Sequence, residues 1–221
     1  MSNFIHIHIP KNGGTSLEET LNDYNLETNK HLTGESFRDD TTYRQLKLNF
    51  GKYLDNYHVF SVIRNPYMRA LSIWQYNTKI NYNIIKSDSN DGLAKTWAKQ
   101  SLIFDFNDFC KQYFAVGLPR SLTTHYEIPQ FHYLRDFDFK LPKNLHLLSL
   151  ERINTDIETL SRLSRKKLQV YDVNKSKYKK DPIEYYSQKS IEIIQAIFHD
   201  DFEMLGYSRD LKDLHNPPEK L

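Results

Sequence analysis

The stretch Phe4-Ile5-His6-Ile7-His8-Ile9-Pro10-Lys11-Asn12-Gly13-Gly14-Thr15-Ser16 opens on a strict two-residue alternation. Ile5, Ile7 and Ile9 fall on one face and Phe4, His6 and His8 on the other, which predicts a strand buried on at least one side. Pro10 ends the alternation. Leu17, Leu21 and Tyr24 then return at helical spacing. A strand, a tight glycine loop and a helix in that order begin an α/β nucleotide-binding fold. The loop itself has the parts of an anion cradle. Gly13 and Gly14 let backbone N–H groups turn toward a ligand, and the helix N-terminus favours negative charge. Thr15 and Ser16 add hydroxyls, and Lys11 adds a mobile cation. A capped turn without a ligand would account for Gly-Gly-Thr-Ser alone; Lys11 and the preceding strand favour the anion site.

Working outward, Tyr57 to Ile63 is rich in β-branched and aromatic residues and predicts a second strand. It stops at Arg64-Asn65-Pro66, where Asn65 can cap a helix and Pro66 suits its first turn. That helix would carry Met68, Leu71 and Trp74. A third strand is expected over Leu145 to Leu150, with a helix from Asn154 to Leu163. A last helix is expected within residues 183–204, stopped by Gly206. Residues 80–100 and 165–182 read as surface loops or short helices, the latter holding the basic run Lys175-Ser176-Lys177. Strands alternating with helices predict an α/β fold: a mainly parallel central sheet flanked by helices, in a three-layer arrangement like that of the P-loop NTPases.

The loop departs from a Walker sequence, since its lysine precedes the glycines. The second strand ends in Arg64, where an NTPase wants an aspartate for magnesium. Lysine and arginine without a metal carboxylate suit a ligand neutralised by side chains, so no metal is expected. Composition narrows the field further. The 221 residues, with 30 Lys plus Arg against 28 Asp plus Glu, suit one domain spanning 1–221 and no nucleic-acid partner. A single cysteine, Cys110, excludes a disulfide framework within the chain and a cysteine-based zinc site. No apolar run approaches the ~18 residues of a membrane span. With a mean hydropathy of −0.68 and no basic-then-apolar leader, a cytoplasmic protein is expected.

Ile-Pro-Lys-Asn-Gly-Gly-Thr-Ser, ending at Ser16, and Ser61-Val62-Ile63-Arg64-Asn65-Pro66-Tyr67-Met68-Arg69-Ala70-Leu71-Ser72 together resemble the two donor-binding motifs of the sulfotransferases that use 3′-phosphoadenosine 5′-phosphosulfate, in particular carbohydrate-type sulfotransferase family 2. Weaker similarities lie in Leu148 to Arg152, in Asn174-Lys175-Ser176 and in the ending Asp201 to Ser208. The resemblance covers most of the chain in the right order; Asn12 stands where the family more often has threonine. It implies that Lys11, Asn12, Gly13, Gly14, Thr15 and Ser16 hold the 5′-phosphosulfate, that Arg64 and Ser72 hold the 3′-phosphate, and that the acceptor is a saccharide hydroxyl. Lys175 and Ser176 would close over the nucleotide. A guanidinium and a hydroxyl at a strand's carboxyl end are also a sensible clamp on physical grounds. Arg69 reads instead as a brace for the helix or a loop.

Transfer to a hydroxyl needs a proton acceptor near neutral pH, and nine histidines are candidates. The resemblance favours His31, between the two motifs, with Glu35 in reserve. His6 and His8 read as packed sheet residues, although His8 lies near the strand's carboxyl end. His125, Gln130 and His132, amid aromatics, would suit an acceptor pocket or an ordinary surface loop. Two other functions fit the same residues: a P-loop-like nucleotide phosphotransferase, and a non-catalytic nucleotide-binding module.

Overall fold

The computed structural model describes residues 4–23, 41–86, 95–96, 98–99, 104–117, 126–170 and 178–218. Strands β1 (Phe4–His6), β2 (His58–Ile63) and β3 (Leu145–Ser149) form a parallel sheet in the order β1-β2-β3. Ile5 pairs with Val59, and Ile63 with Ser149. The ladder of β1 is shorter than its alternation, yet Ile7 N still donates to Phe60 O at 2.9 Å and Ile9 is buried. The period-two pattern therefore reports burial correctly up to Pro10. The chain is α/β, as the alternation of elements implied.

Helices accompany the strands, among them α1 (Gly14–Asp23), α2 (Tyr43–Phe50), α3 (Pro66–Lys86), α4 (Phe106–Phe109), α5 (Gln130–Leu134), α6 (Ile153–Ser164), α7 (Gln188–Ile197) and α8 (His199–Leu205). A wider turn of helix, Cys110–Gly117, continues α4. The alternating sheet residues feed two cores, one on each face. Phe4, Phe60, Val62 and Leu148 pack with Leu17 and Leu21 of α1 and Ile157 and Leu160 of α6. Ile5, Ile7, Val59 and Ile63 join a larger core with Tyr67 and Leu71 of α3, Ile194 of α7 and Phe202 of α8. The sheet is the middle of three layers.

Two elements differ from the pattern reading. Helix α3 continues to Lys86, beyond residue 80. Asn77 Nδ2 and Thr78 Oγ1 each donate back to the carbonyl four residues earlier, at 2.9 Å, so these polar residues do not interrupt it. The single helix expected within 183–204 is instead a 3-10 turn at Pro182–Tyr185 followed by α7 and α8. Ser187 caps α7, and fully buried Phe198 leaves helical geometry at φ −101° and ψ 29° to divide α7 from α8. Gly206, at φ 76°, ends α8 as expected. Among the described residues no helix is long and apolar enough to cross a membrane.

Candidate nucleotide site

Parallel pairing brings the carboxyl ends of all three strands to one edge, where open α/β sheets bind ligands. The loop between β1 and α1 is pinched there from two sides. Gly13 has φ +80°, and a Cβ on it would lie 2.8 Å from Leu150 Cδ1, just beyond β3. A Cβ on Gly14 would lie 2.8 Å from the His8 ring. A side chain at either position would have to push Leu150 or His8 aside, and the positive φ of Gly13 also favours glycine. Lys11 has no such excuse: it sits at φ +70°, a left-handed conformation that costs a β-carbon residue about 1–2 kcal/mol.

Lys11 and Arg64 meet at this edge. Arg64 Nη1 donates to Lys11 O at 3.1 Å, and Lys11 Nζ lies 3.7 Å from the centre of the Tyr76 ring of α3. Burial, with help from the positive charges of Arg64 and Lys79, pushes the Lys11 ammonium down to about 8. A surplus of positive charge in a partly desolvated pocket is an environment that awaits an anion.

Behind the two cations lies a buried amide network. Gln130 Oε1 accepts from Arg64 N at 2.8 Å and from Asn12 Nδ2 at 2.6 Å. Its Nε2 donates to Arg64 O at 2.8 Å and to Asp201 Oδ2 at 3.0 Å. Asn12 Nδ2 also donates to Val62 O at 2.9 Å. Asn12, Gln130, Arg69 and Asp201 are fully buried. Arg69 acts as the brace its position suggested: Nε donates to Pro10 O at 3.3 Å and Nη1 to Ile128 O at 2.9 Å. Burial pulls the Arg69 guanidinium below its usual range while the charge of Asp201 opposes this. Burial likewise raises the Asp201 carboxyl, against the pull of Arg69. Each charge makes the other's burial tolerable.

The second motif is fixed with equal care. Asn65 Oδ1 accepts from Tyr67 N at 3.0 Å, capping α3, while Asn65 N donates to Glu151 Oε1 at 2.7 Å. Ser149 Oγ and Tyr207 OH both donate to Glu151 Oε2, at 2.6 and 3.2 Å. The weaker sequence similarities around Glu151 and before Ser208 thus converge on the Arg64-Asn65 turn. Ser72 is buried on α3, about two turns beyond Arg64.

Thr15 is exposed at the start of α1, and Ser16 is buried behind it. Asn12 turns its side chain inward, so its backbone N–H is what it has to offer a ligand. Gln130 does not line an acceptor pocket: its amide is fully buried and all four hydrogen bonds are spent on the network. His132 Nε2 pairs with Asp200 Oδ2 at 2.6 Å, and the His58 and His146 rings lie 5.6 Å apart at a 47° tilt near the start of the sheet. His31, Glu35, His125, Lys175 and Ser176 lie outside the described residues. The sequence marks Asp201 only through one of the weaker similarities and Gln130 only as a polar residue among aromatics; neither signal indicates a buried network.

Residues 2–208 match the sulfotransferase family. The chain belongs to that family. No curated protein and no solved structure matches it. The chain is accordingly an enzyme, and membership implies a 3′-phosphoadenosine 5′-phosphosulfate donor. In this sulfotransferase the glycine loop at the start of α1 and the two cations at one edge fit a polyanionic donor.

Gln130→Ala removes partners from several buried polar groups at once. It is expected to lower unfolding stability by about 1–3 kcal/mol in urea titrations. A loss below about 0.5 kcal/mol, as for an ordinary surface change, would contradict the network's importance.

Proposed function

We propose that this sulfotransferase moves the sulfuryl group of 3′-phosphoadenosine 5′-phosphosulfate to a hydroxyl of a saccharide, with residues 1–221 acting as one catalytic unit. The observation that carries the donor assignment is the meeting of Lys11 and Arg64 beside the glycine loop. The saccharide acceptor rests on the resemblance of the two motifs to the carbohydrate-type enzymes.

In this reading the loop from Lys11 to Ser16 receives the 5′-phosphosulfate: Asn12, Gly13 and Gly14 through backbone N–H groups, Thr15 and Ser16 at the helix start. Arg64 and Ser72 receive the 3′-phosphate, and Lys175 and Ser176 cover the nucleotide. The donor supplies a sulfuryl group bonded to a phosphate oxygen that departs as an anion. Lys11 and the dipole of α1 oppose that growing charge, which makes their contribution larger in the transition state than in the ground state. His31 accepts the proton of the acceptor hydroxyl, with Glu35 the next candidate.

The donor assignment is tested by calorimetry with adenosine 3′,5′-bisphosphate against ADP. The bisphosphate is expected to bind at least about tenfold tighter, a difference of about 1.4 kcal/mol, and Arg64→Ala to erase most of the preference. Equal affinities in the wild type would overturn the assignment.

Lys11 must be charged to act, and its ammonium in the free enzyme titrates at about 8. Because the charged form is the active one, kcat/KM falls as pH rises through that value. Lys11→Arg keeps its charge and should lose this alkaline limb, whatever its absolute rate. Lys11→Ala should cut kcat by about 10²–10³-fold and weaken product nucleotide binding far less. An unchanged kcat with a raised KM would make Lys11 a simple anchor.

For the base, His31→Ala is expected to lower kcat by roughly 10²–10⁴-fold with nucleotide affinity retained and the acid limb of the pH profile abolished. A variant keeping more than about a third of wild-type kcat would move the role to another residue.

A further inference from the structure

On the face of β1 opposite the isoleucines, His6 and His8 point toward α1, which presents Glu18. His8 Nδ1 lies 2.9 Å from Glu18 Oε1, and His6 Nδ1 lies 3.3 Å from the same oxygen. The three donor atoms fall within 4.8 Å of one another. We propose that His6, His8 and Glu18 form a binding site for one divalent cation of the zinc class, which clasps the first turns of α1 to β1 beside the glycine loop.

Size, donor type and rigidity all point to such an ion. Bonds of about 2.0–2.1 Å to a tetrahedral zinc place neighbouring ligand atoms about 3.3 Å apart, close to the 3.3 and 2.9 Å that separate the His6 and His8 nitrogens from Glu18 Oε1. Two imidazoles and one carboxylate suit zinc, cobalt or nickel and not the all-oxygen preference of magnesium or calcium. Both rings have neighbours that place them. His6 stacks on Phe60, centroids 5.0 Å apart and planes 10° apart, and the His8 ring packs against Gly14, where an added Cβ would lie 2.8 Å from it. The His6 side chain is 3% exposed, whereas those of His8 and Glu18 are 18% and 23% exposed. The site is thus closed at its base and open at its mouth, leaving room for water as a fourth ligand. The Glu18 carboxylate, within reach of both imidazoles, completes the donor set.

The site contains none of the residues assigned to the donor, and it departs from the expectation of a metal-free protein. Its role would be structural: the Gly13-Gly14 turn is gripped between Leu150 on one side and His8, a ligand, on the other. Zinc would therefore stiffen the anion loop without entering the chemistry.

The test uses untagged, chelator-stripped full chain. Zinc is titrated in competition with a chromophoric chelator, and cobalt is followed by its visible absorption. One equivalent per chain is expected, with a rise in melting temperature on zinc addition. Affinity should fall at least tenfold in His8→Ala and in Glu18→Gln, and remain unchanged in His132→Ala. X-ray absorption of the zinc-loaded wild type, which needs no variant to fold, should show two imidazoles and a carboxylate oxygen. Absence of stoichiometric binding, binding indifferent to both substitutions, or a ligand shell without two imidazoles would overturn the proposal and leave the cluster a histidine–carboxylate ion pair.

Discussion

The side chain of Gln130 exchanges four hydrogen bonds out of reach of water, and the relative placement of the glycine loop and the Arg64-Asn65 turn depends on them. One carboxamide holds Asn12 of the glycine loop, both backbone polar groups of Arg64, and Asp201 of α8. A buried amide of this kind is fixed in orientation, because a flip would set donor against donor and acceptor against acceptor. Asn12 extends the tie to Val62 of the central strand, and Arg69 adds a second tie to Pro10 from beneath. The loop after β1 and the turn after β2 are therefore parts of one rigid edge. The proposed placing of two phosphates at a set separation on this edge would depend on that rigidity more than on any single contact.

The same edge stores unfavourable energy where the chemistry is expected. Lys11 takes a backbone conformation suited to glycine, and its ammonium is desolvated and repelled by Arg64 and Lys79. Cation–π contact with Tyr76 and the hydrogen bond from Arg64 to the Lys11 carbonyl offset part of this. Strain and like charge persist in a folded protein when the surroundings over-determine them, and such residues cluster where ligands bind. An anion placed among these groups would turn repulsion into attraction.

Much of the architecture could be read from local pattern. The alternation in residues 4–9, the Val-Ile-Arg-Asn-Pro turn and the capping role of Asn65 each depend on neighbours a few positions away, and the structure has them where expected. Burial of Ile7 and Ile9 beyond the last ladder pair of β1 shows that periodicity reports side-chain environment more faithfully than hydrogen bonding. Local pattern gave no warning of the break at Phe198, since apolar residues continue at helical spacing through it and only tertiary burial turns the chain there. The buried role of Gln130 is hidden for a related reason. Its partners lie 66, 71 and 118 positions away in sequence, and an amide among aromatics looks the same whether it faces a sugar or a buried carboxylate. Glu18 was invisible as a partner of His6 and His8 until the helix folded back on the strand.

The claim that one buried carboxamide sets the glycine loop and Arg64 in register is tested most directly by a thermodynamic cycle. Adenosine 3′,5′-bisphosphate affinity would be measured for wild type, Gln130→Ala, Arg64→Ala and the double variant. If Gln130 acts by placing Arg64 against the loop, its replacement weakens binding in the wild type and has little further effect once Arg64 is gone, a coupling of about 1 kcal/mol or more. Strictly additive losses, within about 0.5 kcal/mol, would contradict the account.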